Sequence, residues 1–299
     1  MAGGKGIAAR SRVHLEGESM TDRRDWQSGV GETWAAEWRR TDRSFTNLAQ
    51  DLDAAILAVA PASGQAVDIG SGAGATAAAV AAALPGLSVL GIDLSSALVD
   101  TARRERSGLP NLRFVVGDVA SEVAQAAPVD LFFSRHGVMF FNDPVAGFTA
   151  LRGAARGGAA IVFSCFAARR ENEWITLLDS VVGAPPEAPG FAPGPFGFAE
   201  PAIVRDVLSR SGWTGASPMR ADYRYLAGKG EKNEVAIDDA TAFFSRIGPA
   251  APIIAAAPPE ERVAITARLR DVLAPHCRDG VVVLDASAWI WTAHAGEAS

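Results

Sequence analysis

Three acids and one glycine turn are the residues of this chain best suited to chemistry. Val67-Asp68-Ile69-Gly70-Ser71-Gly72-Ala73-Gly74 reads as the end of a buried strand, with an acid and a turn that opens into a helix. Glycines at alternate positions let the backbone approach a ligand closely and adopt positive φ. Asp93 follows the apolar run Val89-Leu90-Gly91-Ile92, and Gly117-Asp118 follows Phe114-Val115-Val116. A carboxylate at Asp93 can accept both hydroxyls of a ribose, each charge-assisted bond contributing roughly 1.5–3 kcal/mol. Asp118, with Val119 beside it, can accept the exocyclic amine of adenine. Each acid also has a plainer role as a helix N-cap. Ser95 and Ser96 can cap the helix after Asp93 and leave that acid to a ligand. Three apolar strands with acids at their carboxyl ends suggest one nucleoside-containing ligand along an edge of a sheet.

The base candidate is His136, just past an apolar run at Val129–Ser134. An unperturbed imidazole suits proton transfer near neutrality. The alternative is a histidine that packs or hydrogen-bonds at the pocket wall. Trp26, Trp34 and Trp38 either form an aromatic lid, where a cation would be attracted to their faces, or pack on the core. Asn172 and Trp174, with Phe191, Phe196 and Phe198, either shape an apolar substrate pocket or pin a loop. No His, Asp or Glu cluster has metal-ligand spacing, so no metal is expected.

The elements that must position these residues alternate regularly. Strands are expected at 66–69, 88–92, 112–116, 129–134 and 159–165, with helices at 74–84, 96–106, 121–125 and 144–155. Short, nearly continuous apolar runs suit strands covered on both faces, and a βαβα succession predicts a doubly wound α/β sheet. Before it, 26–60 reads mostly helical, with a turn near Asp42–Ser44 and with Trp34 and Trp38 on one helix face. After it come a helix at 171–182, a proline- and glycine-rich loop at 183–197 and a helix at 201–211. A strand within 213–226, helices within 235–277 and a final strand at 288–294 follow, with 281–284 a possible short strand. The expected organisation is a disordered N-terminal extension at 1–24 and one domain at 25–299. That domain comprises N-terminal helices at 25–60, a core at 61–165 and substrate-side insertions at 166–200 and 235–278.

Bulk properties narrow the function. At 299 residues and 48% hydrophobic, the chain can bury a sizeable core. A net charge of −6 argues against a broad grip on nucleic acid or on an anionic membrane. Cys165 and Cys277 form no CxxC pair, so packing roles and a reducing, cytoplasmic location are expected. No apolar stretch is long enough to span a bilayer. Oligomeric state is not legible.

Taken together, the motifs resemble those of class I S-adenosylmethionine-dependent methyltransferases. The D-I-G-S-G-A-G turn, the acid ending the second strand and the G-D after the third match that family's cofactor site. Ser134 to Pro144 resembles the segment after the fourth strand in the group related to ubiquinone-type methyltransferases, and Gly157 to Phe163 resembles the turn into the fifth strand. The resemblance implies S-adenosylmethionine as cofactor. It implies that Asp68, Gly70 and Gly72, with Ser71 and Gly74 in the same turn, form the methionine cradle. Asp93 would hold the ribose, Leu94 would pack near adenine, and Asp118 and Val119 would read its edge. Ser134 and Arg135 would line the wall near the methionine end. It implies a Rossmann-like seven-stranded sheet of order 3-2-1-4-5-7-6, strand seven antiparallel, with helical insertions. The expected activity is in-line methyl transfer to a small apolar or aromatic molecule. Two alternatives remain: a nicotinamide-dependent oxidoreductase, which the G-x-G-x-G spacing and Asp118 oppose, and a non-catalytic cofactor binder.

Overall fold

Short apolar runs separated by amphipathic segments fold here into one sheet with helices around it. The computed structural model describes Trp26, residues 29–185 and residues 190–296. The extension expected at 1–24 lies outside the described residues, as does part of the loop at 183–197. The helices are α1 (Gly29–Ala36), α2 (Trp38–Ser44), α3 (Thr46–Val59), α4 (Ala75–Ala83), α5 (Ser96–Glu105), α6 (Val119–Ala126), α7 (Pro144–Ala154), α8 (Glu173–Val182), α9 (Pro201–Arg210), α10 (Asn233–Phe244), α11 (Ala250–Ala256) and α12 (Pro259–Leu273). The strands are β1 (Gly64–Ile69), β2 (Leu87–Asp93), β3 (Leu112–Val116), β4 (Val129–Arg135), β5 (Ala155–Phe166), β6 (Trp213–Lys229), β7 (Cys277–Arg278) and β8 (Val281–Ala295).

The sheet runs β3-β2-β1-β4-β5-β8-β6, with the two-residue β7 paired to β8. β1 to β5 are parallel, and β8 is antiparallel to both β5 and β6. The path is the expected one, β8 occupying the place of the seventh strand. β1 lies between β2 and β4, so the winding reverses there. A crevice opens at the carboxyl ends of strands at such a switch point. Local chemistry sets the helices that follow. Ser95, Asp118 and Asp143 each cap a helix by accepting a backbone N–H, and Pro144 stands in the first turn of α7. α4 buries Ala77, Val80 and Ala81.

Two expectations need correction. The N-terminal helix breaks at Glu37, so Trp34 and Trp38 lie on separate helices. Glu37 is buried (4% exposed) and pairs with Arg40 and Arg246. The final strand is continuous over 281–295. Val282, Leu284 and Ala286 are buried in alternation while Asp285 faces outward, so its charge does not interrupt the strand. The first half of β8 pairs with β6 beyond the reach of β5. α10, α11 and α12 fall between those two long strands.

Candidate active site

A cavity of about 460 Å3 opens over the switch point. Its floor is the turn after β1. Gly70 (φ +65°) and Gly72 (φ +54°) are left-handed, a conformation that side chains resist. A Cβ at Gly70 would stand 3.1 Å from the Gly137 Cα, so the turn and the segment after β4 touch backbone to backbone. The N–H groups of Gly70 and Ser71 both donate to the Ile92 carbonyl, at 2.9 and 3.0 Å. Gly74 is not at the cavity: it starts α4 with its Cα against the Phe114 ring, where a Cβ would come within 2.4 Å.

All three acids line this one cavity. Asp68 is 2% exposed, and its Oδ2 has no hydrogen-bond partner among the described residues. Burial pushes Asp68 up to about 7, against the pull of the nearby Arg135 charge. Asp93 accepts the Gly72 N–H and the Ser95 N–H, both at 2.8 Å. Burial raises its pKa, and those two bonds oppose the rise. Ser95 caps α5 through Leu98 N–H, as the first of the two serines expected for that task. Asp118 lines the cavity and also caps α6 through Ala120 N–H at 2.8 Å. Leu94, Val119 and Ser71 are on the wall as well.

The segment after β4 divides its residues between wall and frame. Ser134 is fully buried and off the cavity. Its hydroxyl donates to the Ile69 carbonyl at 2.6 Å and accepts the Gly137 N–H at 3.1 Å, which makes it a brace between β1 and β4. Arg135 lines the cavity, but its guanidinium pairs with Asp42 at 2.5 Å and lies over the Phe45 ring.

His136 is on the wall with a positive φ of 61°, and its ring is packed between Phe45 (4.9 Å) and Phe166 (4.2 Å). Nδ1 is 2.8 Å from the Ser164 hydroxyl, and Nε2 has no partner among the described residues. Burial, aided by the Arg135 charge, lowers its pKa to about 3. An imidazole that holds a proton so weakly is a poor general base near neutrality, and the packing of its ring places His136 in the cavity wall.

An aromatic compartment continues from His136. Trp174 packs on Phe166 (5.1 Å) and stacks on Tyr225 (5.8 Å), which in turn stacks on Phe244 (6.3 Å). Trp26 packs on Trp34 at 5.5 Å and on Phe140 at 5.2 Å, and both tryptophans line the cavity with Trp38. Asn172 does not line it. It is fully buried, donates to the Ala167 and Ala168 carbonyls, and accepts the Ser287 N–H. Its expected substrate role is therefore corrected to a staple between β5 and β8. Phe191 and Phe198 pack on each other away from the cavity, while Pro195 reaches it. Phe45, Tyr225, Phe243, Phe244 and Ile247 are wall residues that the sequence did not single out. The one hint was alternation in β6, where Tyr223 and Tyr225 are buried two apart.

Residues 66–158, which carry the turn, all three acids and His136, match the family described as methyltransferase domain. That segment is a methyltransferase domain, set in a sheet of the Rossmann-like methyltransferase fold. Over 78 residues the chain is 35% identical to trans-aconitate 2-methyltransferase of Methylobacterium radiotolerans, a stretch covering 26% of this chain and 28% of that one. The match thus spans little more than a quarter of the curated relative. The chain is also similar in structure to the YcgJ protein of Bacillus subtilis, with a TM-score of 0.53 and 15% identity, covering 83% of this chain and 99% of that one. Phosphoethanolamine N-methyltransferase 2 of Haemonchus contortus, solved with phosphomonomethylethanolamine and S-adenosylhomocysteine, superposes with a TM-score of 0.51. It is 15% identical, over 93% of this chain and 61% of that one. At such identities the likeness to solved structures is one of fold. No helix among the described residues is long and apolar enough to cross a membrane.

Proposed function

We propose that the chain is an S-adenosylmethionine-dependent methyltransferase acting on a small apolar or aromatic molecule. The observation that carries the reading is the meeting of Asp68, Asp93, Asp118 and the Gly70–Gly72 turn on a cavity that continues into an aromatic compartment. The cavity suits the cofactor on its own terms. A buried Asp68 oxygen without a partner fits an ammonium group, and Gly72 offers backbone with nothing within 4 Å of a Cβ position. Aromatic faces at Trp26 and Trp34 suit a sulfonium.

In this reading Asp68, Gly70, Ser71 and Gly72 hold the methionine end. Asp93 keeps lone pairs for ribose hydroxyls after accepting its two backbone N–H groups, a carboxylate having about four acceptor sites. Leu94, Asp118 and Val119 face adenine, and Gly74 and Ser134 hold the frame. The bound cofactor supplies an electrophilic methyl whose leaving group is a neutral thioether, so no acid is required. The work left to the protein is alignment, which alone can supply roughly 7–11 kcal/mol in the best cases, while a hydroxyl acceptor gives up its proton to solvent. The compartment formed by Phe45, Phe166, Trp174, Tyr225 and Phe244 aligns a flat acceptor and excludes water. The segments 166–200 and 235–278 belong to the acceptor side, and a cytoplasmic location goes with the same reading.

The wall does not favour the tricarboxylate named for the Methylobacterium relative. Asp42, Asp68, Asp93, Asp118 and Asp143 line the cavity, and the lining cation among the described residues, Arg135, is already paired. The test is calorimetry with S-adenosylhomocysteine and with NAD, followed by detection of S-adenosylhomocysteine formation with a panel of phenols and quinols. Tight binding of the first and turnover of a panel member is the expected result. NAD binding alone overturns the reading, and binding without turnover across a wide panel turns it into that of a non-catalytic binder.

A further inference from the structure

Hydrogen-bond accounting assigns the His136 proton. The ring lies beside Ser164, whose side chain is fully buried and makes a single hydrogen bond among the described residues, to Nδ1 at 2.8 Å. If Nδ1 carried the proton, the Ser164 hydroxyl hydrogen would have no acceptor and Nε2 would be an acceptor without a donor. If Ser164 donates to Nδ1, one group alone remains unmatched, the Nε2–H. Buried polar groups pair wherever they can, and each one left unpaired is costly, so the second arrangement is the native one. The backbone agrees with a held ring: His136 sits at φ +61°, and its N–H donates to the Ser164 carbonyl at 3.2 Å. Positive φ in a side-chain-bearing residue carries strain that clusters at ligand sites.

A second unmatched donor packs against the same Phe166 ring. Trp174 is 4% exposed, and its Nε1–H has no partner among the described residues. An indole N–H can only donate. His136 and Trp174 both pack on the Phe166 ring, at 4.2 and 5.1 Å, and both line the cavity. Neither nitrogen touches solvent, so an oxygen that reaches them parts the ring edges as it enters.

We infer that the Nε2–H of His136 and the Nε1–H of Trp174 form a two-donor seat for a neutral carbonyl-type oxygen on the methyl acceptor. The substrate class, resting on the methyltransferase reading above, is then an aromatic hydroxyketone or hydroxyquinone. A carboxylic acid fits poorly, because a buried carboxylate needs a charged partner and Arg135 is committed to Asp42. Ser164 is a positioning residue: it holds the tautomer and touches no ligand.

Two measurements on the whole protein test this. Nitrogen-15 NMR with labelled histidine reads the tautomer directly, with His136→Phe supplying the assignment. The expected signal is a neutral Nε2–H ring from pH 5 to 9, becoming a mixture of tautomers in Ser164→Ala. An Nδ1–H ring in the unmodified protein overturns the seat. The second arm compares 2-acetyl-1-naphthol, 2-ethyl-1-naphthol and 1-hydroxy-2-naphthoate by calorimetry on protein saturated with S-adenosylhomocysteine. The ketone is expected to bind about tenfold more tightly than either of the others, and Trp174→Phe to bring the ketone and ethyl compounds within about threefold. Equal affinities, or no binding of any of the three, overturn the substrate class. Failure of S-adenosylhomocysteine to bind at all sinks the methyltransferase reading, while the NMR arm still decides the tautomer.

Discussion

The Gly72 N–H donates to Asp93 Oδ2 at 2.8 Å, tying the turn after β1 to the acid that ends β2. The same carboxylate holds the Ser95 N–H at the start of α5. Asp93 therefore shapes the floor of the cavity before any ligand arrives. Asp93→Ala should weaken S-adenosylhomocysteine binding by more than about tenfold and should also lower the melting temperature, since two charged hydrogen bonds of roughly 1.5–3 kcal/mol each are lost. Asp93→Asn should keep more of the fold and still lose affinity. Calorimetry and thermal unfolding check both, and an unchanged affinity in Asp93→Ala would remove the ribose role.

Asp68 gives the site a pH dependence whose sign is set by burial. Its folded pKa, raised to about 7, exceeds its ordinary value of 3.8, so the native state holds a proton that the unfolded chain has released. That contribution to stability is fully present below the unfolded pKa and is lost as pH rises through about 7, a fall on the order of 4 kcal/mol over the window. Thermal unfolding from pH 5 to 8 should show Asp68→Asn with a flatter profile than the unmodified protein. Ligand binding runs the other way: an ammonium group beside Asp68 favours the carboxylate, so affinity for S-adenosylhomocysteine should rise with pH over the same range. Parallel profiles for the two proteins would count against Asp68 as the titrating group.

The strands and the acids were legible because their signals are local. An apolar run, a glycine turn and the next acid are read within thirty residues. The aromatic compartment was not, since Phe45 precedes α3, His136 follows β4, and Tyr225 and Phe244 come from β6 and α10. His136 stood out as a titratable group, but Ser164, which orients it, lies on a different strand and carries no motif. Asn172 was misread for the same reason: the Ser287 N–H that it accepts is 115 residues away. The break at Glu37 also has a distant component, because Arg246 comes from within the insertion, just after α10.

Asn172 permits a direct check of that correction. Its side chain satisfies the Ser287 N–H and caps two carbonyls in the buried link between β5 and α8. Asn172→Ala leaves buried backbone groups unpaired and should destabilise the protein by about 1–3 kcal/mol. Affinity for the naphthol ketone, measured on the folded fraction at low temperature, should stay within about threefold. A large loss of affinity without loss of stability would return Asn172 to the substrate site.

Asp239 joins the N-terminal helices to the insertion. Its carboxylate pairs with Arg40 and Arg43 of α2, both at 2.7 Å, and also accepts the Lys229 N–H at 3.0 Å. α2 and α10 each contribute to the cavity wall, through Trp38, Thr41 and Asp42 on one side and Phe243 and Phe244 on the other. Cutting the clasp should therefore loosen the roof and spare the sheet. Asp239→Ala should raise hydrogen exchange in 29–44 and 233–248 while β1, β2 and β4 keep their protection. The partly exposed position of the two arginines limits the stability loss to about 1–3 kcal/mol. Dissociation of S-adenosylhomocysteine should quicken, and raised salt should narrow the gap to the unmodified protein by weakening its ion pairs. Uniform exchange across the whole sheet would show that Asp239 supports global stability and not the roof alone.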